Sequence, residues 1–294
     1  MQREQLSSRL GFLMLSAGCA IGVGNVWKFP WLTGQNGGGI FVLVYLCFLI
    51  LLGLPVMTME FSVGRAAQKS PVCMYQQIEP PGSKWHWHGY AALVGNVVLM
   101  MFYSVVSGWM LYYLVSSASG ALASLDAKEV GGFFGAMLSS APTVTFYTVI
   151  TVIGAFVILS FPLRTGLETV SKWMMGLLFV LMVFLAVHSL FLDGAREGLT
   201  FYLLPDFSKF TSATVVAAMN QAFFSLSIGI GSMAIFASYI NKDQSLVKES
   251  ASVIALDTVV AVLAGLIIFP ACFTYDVKPT AGPSLIFEAL PTIF

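Results

Sequence analysis

Seven stretches of this chain, near 10–33, 40–63, 89–118, 143–163, 170–192, 213–240 and 250–275, stay apolar for about 20 residues or more, the length an α-helix needs to cross a bilayer. The runs are continuously apolar instead of alternating, which predicts helices and not barrel strands. Composition agrees, with 57% hydrophobic residues, 10% charged residues and a mean hydropathy of +0.85, the signature of a polytopic membrane protein. A formal net charge of zero gives no reason to expect a nucleic-acid partner. The first run has a polar middle and no small-residue cleavage site after it, so it reads as a span and not as a cleaved leader.

Orientation follows from the loop cations. The amino-terminal tail and the even-numbered loops hold Arg3, Arg9, Arg65, Lys69, Lys84, Arg164, Lys172, Lys242 and Lys248, whereas the odd-numbered loops hold only Lys128, Arg196, Lys209 and Lys278. The amino terminus is therefore expected in the cytoplasm, with the chain threaded several times through the cytoplasmic membrane. The cysteines Cys19, Cys47, Cys73 and Cys272 lie mostly in or beside spans and are read as small apolar residues without a disulfide.

Between the first two spans, "GQNGGG" (34–39) is a glycine-rich turn that permits non-helical backbone. The segment 64–89 is expected to contain a short amphipathic helix, and its "WHWH" at 85–88 reads as interfacial tryptophans with exposed histidines, not a metal site.

The first span is broken by "GCAIGVGNVWKFP" (18–30), and its "AIGVGN" (20–25) is echoed by "SIGIGS" (227–232) in the sixth. An offset of five spans makes the two segments run in opposite directions. Glycine-interrupted spans in two inverted halves point to a transporter site, while glycine pairs that serve only helix packing are the competing explanation. A dinucleotide fingerprint is excluded, because "GVGNVW" lacks the third glycine and follows no strand.

Four polar residues, Asn25, Lys28, Glu60 and Asp257, fall inside apolar runs, where each needs a partner or water. Lys28 and Glu60 lie near span ends, where snorkelling or a local ion pair accounts for them. Asp257, two turns into the seventh span, would take up a proton unless a cation or strong donors hold it ionised. Oxygen ligands suit a small hard ion such as sodium, and Asn25, Ser225, Asp257 and a freed backbone carbonyl form a coherent set.

The segments "RLGFLMLSAGCAIGVGNVWKFP" (9–30), "NGGGIFVLVY" (36–45), "GLPVMTMEFSVGR" (53–65) and "QAFFSLSIGIGSMAIFASY" (221–239) resemble the neurotransmitter:sodium symporters, above all their bacterial amino-acid members. The resemblance covers essentially the whole chain and implies an all-α inverted-repeat transporter with unwound spans 1 and 6. It makes 10–192 the first repeat, 213–275 the start of the second and 276–294 the start of an outer loop. The family fold has twelve spans, so the chain is expected to be the amino-terminal portion of a single transporter domain.

By position, the resemblance implies a first sodium site from the Ala20 carbonyl, Asn25, Ser225, Asp257 and the substrate carboxylate. A second would use the carbonyls of Gly18 and Ile21. The substrate site would hold Cys19, Ala20, Gly22, Val23, Gly24, Leu99, Tyr103, Phe224, Ser225, Ser227 and Ile230, with Tyr103 on the substrate carboxylate and Phe224 as an outer cover. Gly22 stands where monoamine carriers place an aspartate, which implies an amino-acid substrate. Ile230 replaces a phenylalanine, leaving room for a larger aliphatic or aromatic side chain or else reflecting neutral packing variation.

Arg3 matches an inner-gate arginine, with Leu6 in place of the usual tryptophan. Lys28 stands for an outer-gate arginine without its bidentate geometry. Tyr45, Gln221 and Ser225 match chloride-site positions, but Ala261 replaces the anion-holding serine, so the fixed charge of Asp257 implies no chloride requirement. The implied function is sodium-coupled symport of a neutral, hydrophobic or aromatic amino acid. Sodium ions, substrate and lipid are its partners, a homo-oligomer is compatible with it, and no enzyme chemistry enters. A non-transporting binding or sensor protein, or an inactive fragment of a carrier, is the competing class.

Overall fold

The computed structural model describes residues 6–122, 127–240, 243–277 and 287. Helix α1 is Arg9–Ala20 and α2 is Gly24–Gln35, opening with a π turn at Gly24–Lys28. Helix α3 runs over Gly39–Ala67 through a second π turn at Leu49–Gly53, followed by the short α4, Pro71–Ile78, and the long α5, His86–Ala118. Next come α6 (Ala127–Ser139), α7 (Ala141–Ser160), α8 (Arg164–Ser189) and α9 (Ala195–Leu203). Helices α10 (Ser212–Ser225), α11 (Ser232–Ala237) and α12 (Leu246–Thr274) complete the order. Among the described residues the only β pairing is an isolated bridge between Gly38 and Pro205.

Among the described residues five helices, α3, α5, α7, α8 and α12, are long and apolar enough to cross a membrane, and α1 with α2 makes a sixth, bent by 55°. The run expected over 213–240 is split into α10 and α11, each too short to cross alone, because residues 226–231 leave the helix. Helix α4 fulfils the expected short helix in 64–89. Helices α6 and α9 went unforeseen, since a 20-residue apolar window cannot register segments of 13 and 9 residues. Helix α8 starts at Arg164, ahead of the expected 170, through a π turn whose Arg164 and Glu168 lie outside any apolar window.

Helix α12 is the central element, packed against α1, α2, α3, α8 and α9. Its buried stripe of Val253, Ile254, Asp257, Val260, Ala261 and Ala264 recurs at three and four residues, as one helical face must. Asp257 sits in the middle of that face. Helix α7, by contrast, buries none of its residues.

Aromatic contacts join the halves of the first span to α3: Phe12 meets Phe61 edge-on at 5.4 Å, and Phe29 meets Tyr45 at 4.9 Å. The start of α1 is capped by Ser8, whose hydroxyl accepts from the Gly11 amide at 3.1 Å, filling one of the donors a helix start leaves open. The buried Glu168 accepts from the Ser7 amide at 2.9 Å, from the Ser7 hydroxyl and from Lys172 at 2.6 Å. Arg9 reaches Glu249 at 2.7 Å, so α1 is tied to α8 and α12 at this end. On α3, a Cβ at Gly64 would run into the backbone of Ala234, a contact that seats the short α11.

Candidate functional site

Two helix breaks define the site. Helix α1 stops at Ala20, and Ile21 adopts an extended backbone with φ −74° and ψ 112°. The last four carbonyls of a helix have no partner within it. Here the Ala17 carbonyl is taken by the Ile21 amide at 2.7 Å and that of Cys19 by the Ser227 hydroxyl at 3.2 Å. Among the described residues no donor from outside the helix reaches the carbonyls of Gly18 or Ala20. The Gly22 amide donates to Asn25 Oδ1 at 3.3 Å, which turns that side chain back over the break.

The second break is held open by backbone conformation. Ser227, Gly229 and Gly231 have φ of +51°, +88° and +75°, a region that glycine enters freely and serine seldom does. The hydroxyl of Ser227 donates to the end of α1, so it bridges the two breaks across 208 residues.

Where the breaks meet, a polar cluster is buried under α12. Asn25, Ser225 and Asp257 are at most 1% exposed. Asn25 Nδ2 donates to Asp257 Oδ1 at 2.8 Å and to the Asp257 carbonyl and Ser225 Oγ at 3.2 Å. Ser225 Oγ donates to Asp257 Oδ2 at 2.7 Å, and the Tyr45 hydroxyl donates to Ser225 at 3.3 Å. Gln221 donates to the Gly24 carbonyl at 2.9 Å, while its own Oε1 is buried without a partner among the described residues.

Among the described residues no Lys, Arg or His lies within ion-pair distance of Asp257. An ionised carboxylate in such a place is costly unless a positive charge joins it. The surrounding atoms are oxygens of amide, hydroxyl, carboxylate and carbonyl, a donor set suited to a hard cation. Among the described residues no group of three or more His, Cys, Asp or Glu side chains is assembled.

Beside this cluster lies a cavity of about 350 Å³ lined by Leu99, Tyr103, Phe224, Ser227 and Ile230, together with Gly95, Asn220, Phe223 and Ile228. Five residues expected at a substrate site thus line one cavity. Gly22 adjoins it, since a Cβ there would stand 3.6 Å from the Tyr103 ring, and Gly24 lies against Phe224, where a Cβ would come to 2.9 Å. Ala20 and Ser225 are buried behind the wall, in the first break and the polar cluster respectively. Val23 lies between the two glycines, at the start of α2. Cys19 and Gly18, with Ile21, instead line a separate, largely apolar groove of about 540 Å³ against α8.

The gate and loop residues divide. Lys28 Nζ stands 3.6 Å above the Phe224 ring centroid; among the described residues it meets no carboxylate, so a cation–π contact replaces the expected ion pair or snorkelling. Arg3 lies outside the described residues. Glu60 departs from its reading as a snorkelling residue: its Oε1 accepts from the Gly229 amide at 2.5 Å, inside the second break. Asn96 on α5, which no sequence argument singled out, donates to the Ile230 carbonyl at 2.8 Å. Its only advance signal was an amide side chain in an apolar run. Of the histidines in "WHWH", His88 is exposed as expected, whereas His86 is half-buried with a carboxylate partner in Glu79 at 2.8 Å.

The family model described as "Sodium:neurotransmitter symporter family" matches residues 3–130 and 134–288. The chain is 38% identical over 290 residues to an uncharacterised sodium-dependent transporter of Bacillus subtilis, covering 99% of this chain and 64% of that protein. It is 37% identical to another from Haemophilus influenzae, covering 100% and 66% respectively. Among solved structures it is similar to MhsT in complex with L-phenylalanine, with a TM-score of 0.92 and 40% identity over 99% of this chain and 66% of that one. The chain therefore spans about two thirds of the length of these relatives.

Proposed function

The chain belongs to the sodium:neurotransmitter symporter family, and from that premise we propose that it serves as a carrier coupling inward sodium flow to uptake of a neutral, hydrophobic or aromatic amino acid. The family is one of transporters, so binding and conformational change, not covalent chemistry, are the task. One observation carries the reading: two helix breaks distant in sequence meet beside one cavity, next to a fully buried carboxylate that has no cation partner among the described residues.

In this reading the first sodium ion takes the Ala20 carbonyl, Asn25 Oδ1, Ser225 Oγ, Asp257 and the substrate carboxylate. The carbonyls of Gly18 and Ile21 contribute to a second. Sodium replaces the hydrogen bonds that Asn25 and Ser225 now make to Asp257, drawing the two breaks together. Substrate and ion then raise each other's affinity by the same factor. The amino acid's carboxylate is attracted by the ion and by the Tyr103 hydroxyl, and its side chain lies against Leu99 and Ile230. The neighbouring structure's L-phenylalanine supports an apolar side chain of that size.

Phe224 covers the cavity, steadied by Lys28. The amino terminus faces the cytoplasm, and α1–α3 and α10–α12 belong to the unit that rocks to expose the cavity alternately to the two sides. Because Asp257 supplies a fixed negative charge, transport proceeds without chloride; a collapse of uptake when gluconate replaces chloride refutes that part. The central test is uptake of labelled amino acids into proteoliposomes with and without an inward sodium gradient. Gradient-driven accumulation of hydrophobic amino acids is expected, and equal uptake in both conditions refutes symport.

A further inference from the structure

The wall residue Ile230 belongs to a segment that cannot fix its own shape. Residues 226–231 have left the helix, and Ile230 is flanked by Gly229 and Gly231 at φ +88° and +75°. With a glycine on each side, the adjoining peptide planes turn at little cost, so the direction in which Ile230 points must be set by partners from other elements.

Among the described residues, two side chains from other elements bond to Gly229 and Ile230. Glu60 on α3 accepts from the Gly229 amide at 2.5 Å. Asn96 on α5 holds the other side: its Nδ2 donates to the Ile230 carbonyl at 2.8 Å, and its Oδ1 accepts from the Ser232 hydroxyl at 3.3 Å. The same Nδ2 donates to the Ala92 carbonyl one turn back at 2.8 Å, which restrains the amide against rotation. Asn96 also precedes Leu99 and Tyr103 by three and seven residues, a spacing that puts all three on one helical face. It therefore links the fixed wall of the cavity to its non-helical wall.

We infer that Asn96 is a positioning residue for substrate selection: by holding the Ile230 carbonyl it sets how far the Ile230 side chain enters the cavity, and hence which amino-acid side chains fit. The inference rests on the proposed amino-acid carrier function. Without the donor, the Ile230 carbonyl is left unpaired in a segment with freely turning neighbours, and the wall is free to shift. Amino acids of different size then lose different amounts of contact.

The test compares the protein with Asn96→Asp, which keeps the shape but removes the donor, and with Asn96→Gln, which carries a donor again. Sodium-dependent binding of labelled L-phenylalanine, competed by L-leucine and L-alanine, reads selectivity, and hydrogen exchange of residues 226–232 reads the segment itself. Asn96→Asp is expected to shift the phenylalanine-to-alanine affinity ratio by about 3- to 10-fold, the weight of one hydrogen bond, and to speed exchange in 226–232. Asn96→Gln is expected to restore part of both. A residue that merely stabilises the fold would weaken all amino acids alike, so an unchanged ratio in Asn96→Asp overturns the inference.

Should Asn96→Asp fail to accumulate, Ser232→Ala removes the bond to the Asn96 carbonyl oxygen and carries the same readouts with smaller shifts. If the parent protein binds no amino acid at any sodium concentration, the carrier reading fails by itself. The exchange measurement then decides: unchanged exchange in Asn96→Asp overturns the clamp, and faster exchange upholds it.

Discussion

Replacing Asp257 by asparagine separates its charge from its shape. Both carboxylate oxygens now act as acceptors, Oδ1 from Asn25 Nδ2 at 2.8 Å and Oδ2 from Ser225 Oγ at 2.7 Å. In Asp257→Asn the amide oxygen takes the Asn25 side, and the new NH₂ faces Ser225, whose hydroxyl can reverse and accept. The fold is therefore expected to survive, and removing a buried charge that lacks a cation among the described residues offsets the weaker hydrogen bonds. Sodium binding is where the loss falls. Opposite unit charges about 4 Å apart attract by about 4 kcal/mol at an effective dielectric constant near 20. If desolvation of the ion cancels roughly half of that, the net loss is about 2 kcal/mol, or about 30-fold in affinity.

Thermal unfolding in detergent across a sodium titration reads both effects. A ligand at 100 times its dissociation constant stabilises the folded state by about 2.7 kcal/mol, and a 30-fold weaker site leaves about 0.9 kcal/mol at the same concentration. The expected result is an unchanged melting temperature without sodium and a sodium-induced rise cut to about a third. An unchanged sodium titration in Asp257→Asn refutes the assignment of Asp257 to the ion, and a large loss of stability without sodium refutes the account of the hydrogen bonds.

Three further outcomes follow from the geometry. Lys28→Gln removes the cation above Phe224, worth about 0.5–2 kcal/mol, and is expected to speed dissociation of bound amino acid several-fold while Lys28→Arg does not; equal rates would remove Lys28 from the gate. In Gly22→Ala the new Cβ meets the Tyr103 ring at an ordinary 3.6 Å, so the melting temperature should hold while amino-acid affinity drops about tenfold as the Tyr103 hydroxyl loses access to the carboxylate. Arg9→Ala strands the buried Glu249, which is 3% exposed against 54% for Arg9; a loss of about 1–3 kcal/mol in detergent stability is expected, and the double variant Arg9→Ala/Glu249→Gln should recover most of it.

What the sequence by itself determined is what depends on local chemistry. Apolar runs of membrane length, the glycines that end α1 at Ala20 and open 226–231, and the presence of Asn25, Ser225 and Asp257 in those runs are properties of short segments, because backbone propensity and hydropathy act over a turn or two. The tertiary structure decided which groups meet. Glu60 looked like a residue near a span end, yet it accepts a hydrogen bond from Gly229 across 169 residues. Asn96 looked like one amide in an apolar helix, yet it holds Ile230 from 134 residues away. Lys28 offered no sign that its partner would be a ring and not a carboxylate. A helix that leaves its regular path frees amides and carbonyls, and the packing of α3 and α5 against the second break determines which side chains pair with Gly229 and Ile230.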